Sequence, residues 1–180
     1  MESTAFYIFL FIHLVSLVTG FGAVIVIDFF GLLWLFKKVP LSLVNKVAGA
    51  TQALIWLGWC GLVFSGLFLI TIKGYIDNLT KIKLFFVLML GVNGLYLHMI
   101  KKSMEKISGQ DTLPAQLKFR VGLASVISQV GWWGAMIIGF VHRHIAHYIP
   151  YPQNPYLYML FFVVLFVGGG FTINYSLKGK

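Results

Sequence analysis

The sequence predicts an all-α protein, a polytopic bundle of five transmembrane helices in a single domain that covers residues 1–180. The chain of 180 residues is 59% hydrophobic and only 11% charged, and its mean hydropathy is +0.88. Five apolar stretches run through it, each near or above the roughly 20 residues that a helix needs to cross a hydrocarbon core. Almost every Lys, Arg, Asp and Glu lies between these stretches.

Each stretch is predicted to be a helix because backbone amides in lipid must be paired within the segment. The first stretch ends at a Lys-Lys pair, the second at Lys73 and the third at another Lys-Lys pair. The fourth ends in a His-Arg-His run, and the fifth follows a proline-rich segment. No proline falls inside a stretch, which predicts continuous helices. The predicted helices cover about residues 5–36, 47–72, 80–101, 119–142 and 156–177.

The basic residues predict the orientation in the membrane. Ten of the 14 Lys and Arg residues lie on the side that holds the C-terminus, and four lie on the side of the N-terminus. Because loops rich in Lys and Arg stay in the cytoplasm, we expect the N-terminus outside and the C-terminus inside, in the plasma membrane of a bacterium or archaeon. The net charge of +9 belongs to helix ends that meet anionic lipid, so no nucleic-acid role is assigned.

Two histidines predict a haem site in the outer half of the membrane. His13 lies roughly 10 Å below the outer surface by helix rise, and His142 ends the outward-running fourth helix. Paired imidazoles from two membrane helices hold b-type haem, because imidazole nitrogens ligate the iron and the apolar macrocycle fits between helices. We therefore expect haem b between His13 and His142, with Arg143 beside its propionates. In the alternative, His13 only hydrogen-bonds a neighbouring carbonyl.

A second cluster predicts a metal site at the same edge. His142, His144 and His147 form an H-x-H-x-x-H run. With His13 they are candidate copper ligands, and Met136 or Met159 would add the soft sulfur that Cu(I) prefers. The alternative is a solvated histidine cluster at the interface.

Polar residues also predict a layer deeper in the membrane. Asp28, Asn93 and Gln129 lie about nine to eleven residues from the cytoplasmic ends of their helices. Ionisable side chains at such depth are functional by default, so Asp28 is a candidate proton carrier. In the alternative, Asp28 is neutral and hydrogen-bonds Asn93 or Gln129. His98 lies near the cytoplasmic face, where it extends this polar layer or is only an interfacial residue.

The first helix, Phe11-Ile-His13-Leu-Val-Ser-Leu-Val-Thr19-Gly-Phe21-Gly-Ala, resembles the opening helix of the CopD and HemJ-type membrane protein superfamily. The resemblance continues through Gly61-Leu-Val-Phe-Ser-Gly66 and Lys83-Leu-Phe-Phe-Val, and it covers about the first hundred residues. HemJ-type members are haem-binding protoporphyrinogen oxidases, and CopD members are linked to copper handling. The resemblance implies that His13 is a haem ligand and that Lys83 contacts a propionate or an acidic substrate.

These features favour a membrane haem protein that passes electrons or oxidises a hydrophobic substrate. If it is an enzyme, it is a haem-dependent oxidoreductase similar to the HemJ-type oxidases. The alternatives are a copper-handling membrane protein and a cofactor-free structural or assembly subunit. Candidate partners are the lipid bilayer, a redox partner, a quinone-like or porphyrin substrate and a second copy of the chain. The sequence has no phosphate loop, nucleophile elbow or H-E-x-x-H motif, which argues against hydrolytic and nucleotide chemistry.

Overall fold

A computed structural model describes residues 4–105, 113–145, 148 and 152–177. These residues form helices and no strand. Five segments of the described chain are long and apolar enough to cross a membrane. The predicted all-α class and five helices of spanning length are thus confirmed, and the orientation of the termini stays a prediction. The helices are α1 (Thr4–Leu35), α2 (Leu41–Lys73), α3 (Asn78–Glu105), α4 (Ala115–His144), α5 (Pro155–Val163) and α6 (Gly169–Ser176).

The second, third and fourth helices extend beyond the predicted apolar stretches because polar residues continue or cap their ends. The second helix begins at Leu41, directly after Pro40, and not near residue 47. It ends at Lys73, and the following Gly74 has a φ of 79°, the left-handed conformation that glycine adopts at low cost after a helix. At the start of α5, the side chain of Asn154 accepts a hydrogen bond from the backbone N–H of Tyr156. Hydropathy alone does not detect such caps.

The fifth spanning segment is not a uniform α-helix. A π-helical turn at Val164–Gly168 joins α5 to α6. Three consecutive glycines, Gly168 to Gly170, weaken the α-helical preference at this point, and a wider turn inserts without a proline. The absence of proline therefore predicted an unbroken span but could not predict this change in its hydrogen bonding.

The chain divides into two compact units, Met1–Ile76 and Asp77–Lys180. The first holds α1 and α2, and the second holds α3 to α6. The description of the whole chain as one domain stays a prediction. In both units, large apolar side chains cover the outside of the helices, as expected of helices that face lipid.

Small residues form the closest approach of α1 and α2 in the first unit. A Cβ atom added to Gly58 would lie 2.5 Å from the Cα and N atoms of Gly20 and 2.7 Å from the carbonyl oxygen of Ser16. A Cβ atom on Gly61 would overlap the Ser16 side chain. Because lipid provides no hydrophobic drive between helices, close packing of small residues is what holds such a pair.

The second unit packs α3 and α4 against each other, with α5 and α6 beside them. Ile82, Phe86 and Ala135 form its buried cluster. Gly134 lies so close to Phe86 that an added Cβ atom would approach the ring to 2.9 Å. Gly170 in α6 contacts Leu123 of α4 in the same way. Glycines thus again mark the positions where helices meet most closely.

Candidate functional site: His13 and its hydrogen bond to Ser65

His13 lies half-buried on α1, on the side that faces α2. Its Nδ1 atom is 2.9 Å from the hydroxyl oxygen of Ser65. Ser65 is fully buried, with 0% of its surface exposed, and its hydroxyl lies 2.6 Å from the carbonyl oxygen of Gly61. Both helices therefore fix this pair, and the imidazole ring is held in one orientation.

The geometry of Ser65 determines the tautomer of His13. A serine hydroxyl has one proton to donate, and the short contact directs that proton to the carbonyl of Gly61. The same oxygen then accepts a hydrogen bond from the Nδ1–H of His13. In neutral His13 the lone pair consequently lies on Nε2, the nitrogen through which imidazole usually ligates iron or another metal.

Three aromatic rings of α1 and α2 pack together near His13. Phe9 precedes His13 by four residues and stacks on Phe68, with ring centroids 4.2 Å apart. Phe64 contacts Phe68 at 5.0 Å. Gly66 lies beside the imidazole, and a Cβ atom there would stand 3.6 Å from its Cε1 atom. A flat apolar group placed near His13 would meet rings and a glycine and no charged side chain among these neighbours.

The Ser65 and His13 pair is not a nucleophilic dyad. A nucleophile must reach its substrate, whereas Ser65 has no exposed surface, and its proton is committed to Gly61. The chemistry that the pair supports is orientation of the imidazole and selection of its tautomer.

His142, the second predicted ligand, contacts a carboxylate in the second unit. Its Nε2 atom is 2.9 Å from Oδ2 of Asp77. The other carboxylate oxygen of Asp77 accepts a hydrogen bond from the backbone N–H of Thr80 at 2.7 Å, so Asp77 caps the start of α3. Asp77 thereby joins the start of α3 to the end of α4. An imidazole held through Nε2 would ligate a metal through Nδ1.

The other residues predicted near a cofactor also belong to the second unit. The ammonium group of Lys83 lies against α4, 3.7 Å from the position of a Cβ atom on Gly139. His144 is exposed, and its ring centroid is 4.9 Å from that of Phe140. Arg143 is part of α4, but its side chain lies outside the described residues, as does all of His147. The parts assigned to His142, Lys83 and Arg143 in the haem site stay predictions.

The described residues contain no group of three or more His, Cys, Asp and Glu side chains that could hold a metal ion. On α4, His142 and His144 are two positions apart, and residues at that spacing point in different directions on a helix. The predicted set of His142, His144 and His147 includes a residue outside the description, so this copper site stays a prediction.

In the predicted polar layer, Asn93 has a partner, Ser128, that the sequence did not suggest. The buried Asn93 donates hydrogen bonds from Nδ2 to the carbonyl of Ala124 at 2.8 Å and to the hydroxyl of Ser128 at 3.1 Å. These bonds join α3 to α4, as polar side chains do between membrane helices. Gln129, the residue after Ser128, accepts a hydrogen bond from the ring N–H of Trp133 at 3.1 Å.

The two ionisable members of that layer are distributed over the two units. Asp28 is half-buried on α1, and His98 is exposed on α3. The interfacial position of His98 stays a prediction. A proton-carrying role for Asp28 stays a prediction.

Sequence reasoning missed Ser65 and Asp77. Ser65 belongs to the Gly61-to-Gly66 segment, but a single serine in an apolar helix gives no sign of which residue it meets. Asp77 carries a detectable signal, because an acidic residue directly before an apolar helix is a typical N-cap. No signal in the sequence, however, indicates that His142 would meet it.

No family model, curated protein or solved structure matches the chain. The resemblance to the CopD and HemJ-type superfamily therefore stays an interpretation of the residues. The function has to be argued from the site itself.

Proposed function

We propose that this chain is a membrane-embedded b-type haem protein in which His13 ligates the haem iron through Nε2. The observation that carries the proposal is the hydrogen bond between Nδ1 of His13 and Ser65. Histidines that ligate metals almost always donate their other ring N–H to a fixed acceptor, which sets the tautomer and the ring orientation. Ser65 supplies such an acceptor from the neighbouring helix.

The residues around His13 fit an apolar macrocycle. Phe9, Phe64 and Phe68 would contact its rings, because the exposed Phe64 and Phe68 side chains present an apolar surface near His13. When bound, the haem would supply a one-electron redox change, which suits electron transfer or oxidation of a hydrophobic substrate such as a porphyrin or a quinone-like molecule. His13 would ligate the iron, and Ser65 would hold the orientation of the His13 ring.

The hydrogen bond to Ser65 predicts the effect of a Ser65→Ala substitution. We expect haem to bind about 10- to 100-fold more weakly, because loss of an orienting partner typically costs this much in affinity. The measurement is a titration of the haem-free protein in detergent with hemin, followed by the Soret absorption. Thr71→Ala is the matched control, since the Thr71 hydroxyl also bonds to a carbonyl of α2 but is exposed. Equal affinities of the two variants would contradict the role of Ser65.

The orientation proposed for the protein places the N-terminus outside and the C-terminus in the cytoplasm, on the basis of the ten-to-four division of basic residues. A cysteine added at the C-terminus should react with a membrane-impermeant thiol reagent only after the membrane is opened. The added cysteine is introduced into a Cys60→Ser variant, because Cys60 is exposed and could react with the same reagent. Labelling of the added cysteine in intact cells would reverse the orientation and place His13 in the cytoplasmic half of the membrane.

A further inference from the structure

Arg120 is held in place near the beginning of α4. Its Nε atom donates a hydrogen bond to Oδ1 of Asn174 on α6 at 2.8 Å. Gln116, one helical turn earlier on the same face of α4, donates to the backbone carbonyl of Asn174 at 3.4 Å. Carbonyls in the last turn of a helix have no partner within the helix, so Gln116 satisfies one of them. Arg120 on α4 is thus bonded to α6 through its Nε atom, and Gln116 joins the same two helices.

The guanidinium of Arg120 needs a negative charge that the described part of its unit does not provide. Asp77 is the one carboxylate of the second unit whose side chain is described, and it pairs with His142 at the other end of α4. Arg120 and His142 are roughly 33 Å apart by helix rise. Within the described residues, Arg120 hydrogen-bonds through Nε, so its two Nη groups can donate to an external anion. Arg120 is also half-buried, and a partly buried charge is costly unless it is paired.

The surroundings favour an anion that lies at a membrane surface. Arg120 follows the start of α4 by five residues, which places it roughly 8 Å along the helix, near the depth of lipid phosphates. Lys118 on α4 and Lys102 on α3 are exposed at the same end of the unit. The planar guanidinium matches phosphate with two parallel hydrogen bonds.

We propose that Arg120, oriented by Asn174, binds the phosphate group of an anionic phospholipid at the membrane surface where α4 begins. The lipid phosphate supplies a counter-ion that the described part of the unit does not provide, and the Nε bond to Asn174 leaves the two Nη groups for it. This site is independent of the haem proposal. It assigns Arg120 a task different from that of Lys118, which is exposed and has no such orienting bond among the described residues.

The test compares Arg120→Gln with Lys118→Gln, two substitutions that remove the same charge from the same helix. The full chain in detergent is titrated with phosphatidylglycerol, phosphatidylcholine or inorganic phosphate, and bound lipid is counted by native mass spectrometry. The parent should retain phosphatidylglycerol in preference to phosphatidylcholine. Arg120→Gln should bind it about tenfold more weakly, because a paired, charge-assisted contact is lost, whereas Lys118→Gln should stay within about twofold, since exposed charges contribute little. Asn174→Ala keeps the charge and should give an intermediate loss.

Three results would overturn the proposal. The first is equal retention of phosphatidylglycerol by the parent and Arg120→Gln. The second is displacement of the lipid by millimolar inorganic phosphate, which would make the free anion the ligand. The third is an unfolding temperature of Arg120→Gln in lipid-free detergent that lies below that of Asn174→Ala, which loses the same Nε bond but keeps the charge; this would indicate that a carboxylate of the chain itself pairs with the guanidinium. Equal unfolding temperatures of these two variants there, with weaker lipid binding by Arg120→Gln, support the proposal.

Discussion

Replacing Gly58 by alanine is expected to destabilise the first unit by about 3 kcal/mol, the upper end of the usual cost of overpacking. The added Cβ atom would lie 2.5 Å from the backbone of Gly20. A backbone atom cannot rotate away as a flexible side chain can, so α1 and α2 would have to separate. That separation would also lengthen the contact between His13 and Ser65, because these residues belong to the same pair of helices.

The matched control for Gly58→Ala is Gly22→Ala on α1. A Cβ atom on Gly22 would meet no atom within 4 Å, so this variant gains helix propensity without a clash and should be neutral or slightly more stable. The measurement is the unfolding free energy of each variant in detergent, from reversible denaturation. A Gly58→Ala variant as stable as Gly22→Ala would contradict the close crossing of α1 and α2.

Replacing His13 by alanine is expected to abolish haem retention. The substitution removes the imidazole and leaves the buried Ser65 hydroxyl without this contact, while apolar contacts alone hold a haem only weakly. Each variant is purified in detergent, and its pyridine haemochrome absorbance is compared with the protein concentration. His98→Ala is the control, because His98 is exposed on a helix of the other unit and should retain most of the haem.

His142→Ala tests the predicted second ligand separately from His13. The sequence predicts His142 as the second haem ligand, so this variant should bind haem at reduced occupancy or with a five-coordinate spectrum. If His142 serves only as the partner of Asp77, the haem spectrum should match that of the parent. The two outcomes decide a pairing that the sequence predicts from depth alone.

Hydropathy was sufficient to predict five helices long and apolar enough to cross a membrane, because the cost of unpaired backbone in lipid leaves few alternatives. It could not give the rotation of each helix about its own axis, which decides which side chains meet. His13 was identified from its depth, but its partner Ser65 depends on how α2 turns towards α1. Asn93 illustrates the same limit, since it donates hydrogen bonds to the Ala124 carbonyl and to Ser128, and the depth argument named neither of these residues.

The glycines show that composition alone does not identify the positions at which two helices touch. A general preference for glycine in close helix packing applies equally to Gly22 and Gly58, yet only Gly58 touches the opposite helix. The π-helical turn at Val164–Gly168 has the same character, because consecutive glycines permit several local structures and tertiary packing selects one. Glycine in the sequence therefore indicates where helices can pack closely or change their hydrogen bonding. The three-dimensional arrangement decides at which of these glycines they do so.

The most direct test of the haem proposal is the haem content of the parent protein. The chain is produced in cells supplied with a haem precursor, purified in detergent, and its reduced and oxidised absorption spectra and pyridine haemochrome are recorded. The proposal predicts a Soret band, b-type haem in stoichiometric amount, and loss of both in His13→Ala. A colourless parent protein, or a His13→Ala variant that retains as much haem as the parent, would contradict it.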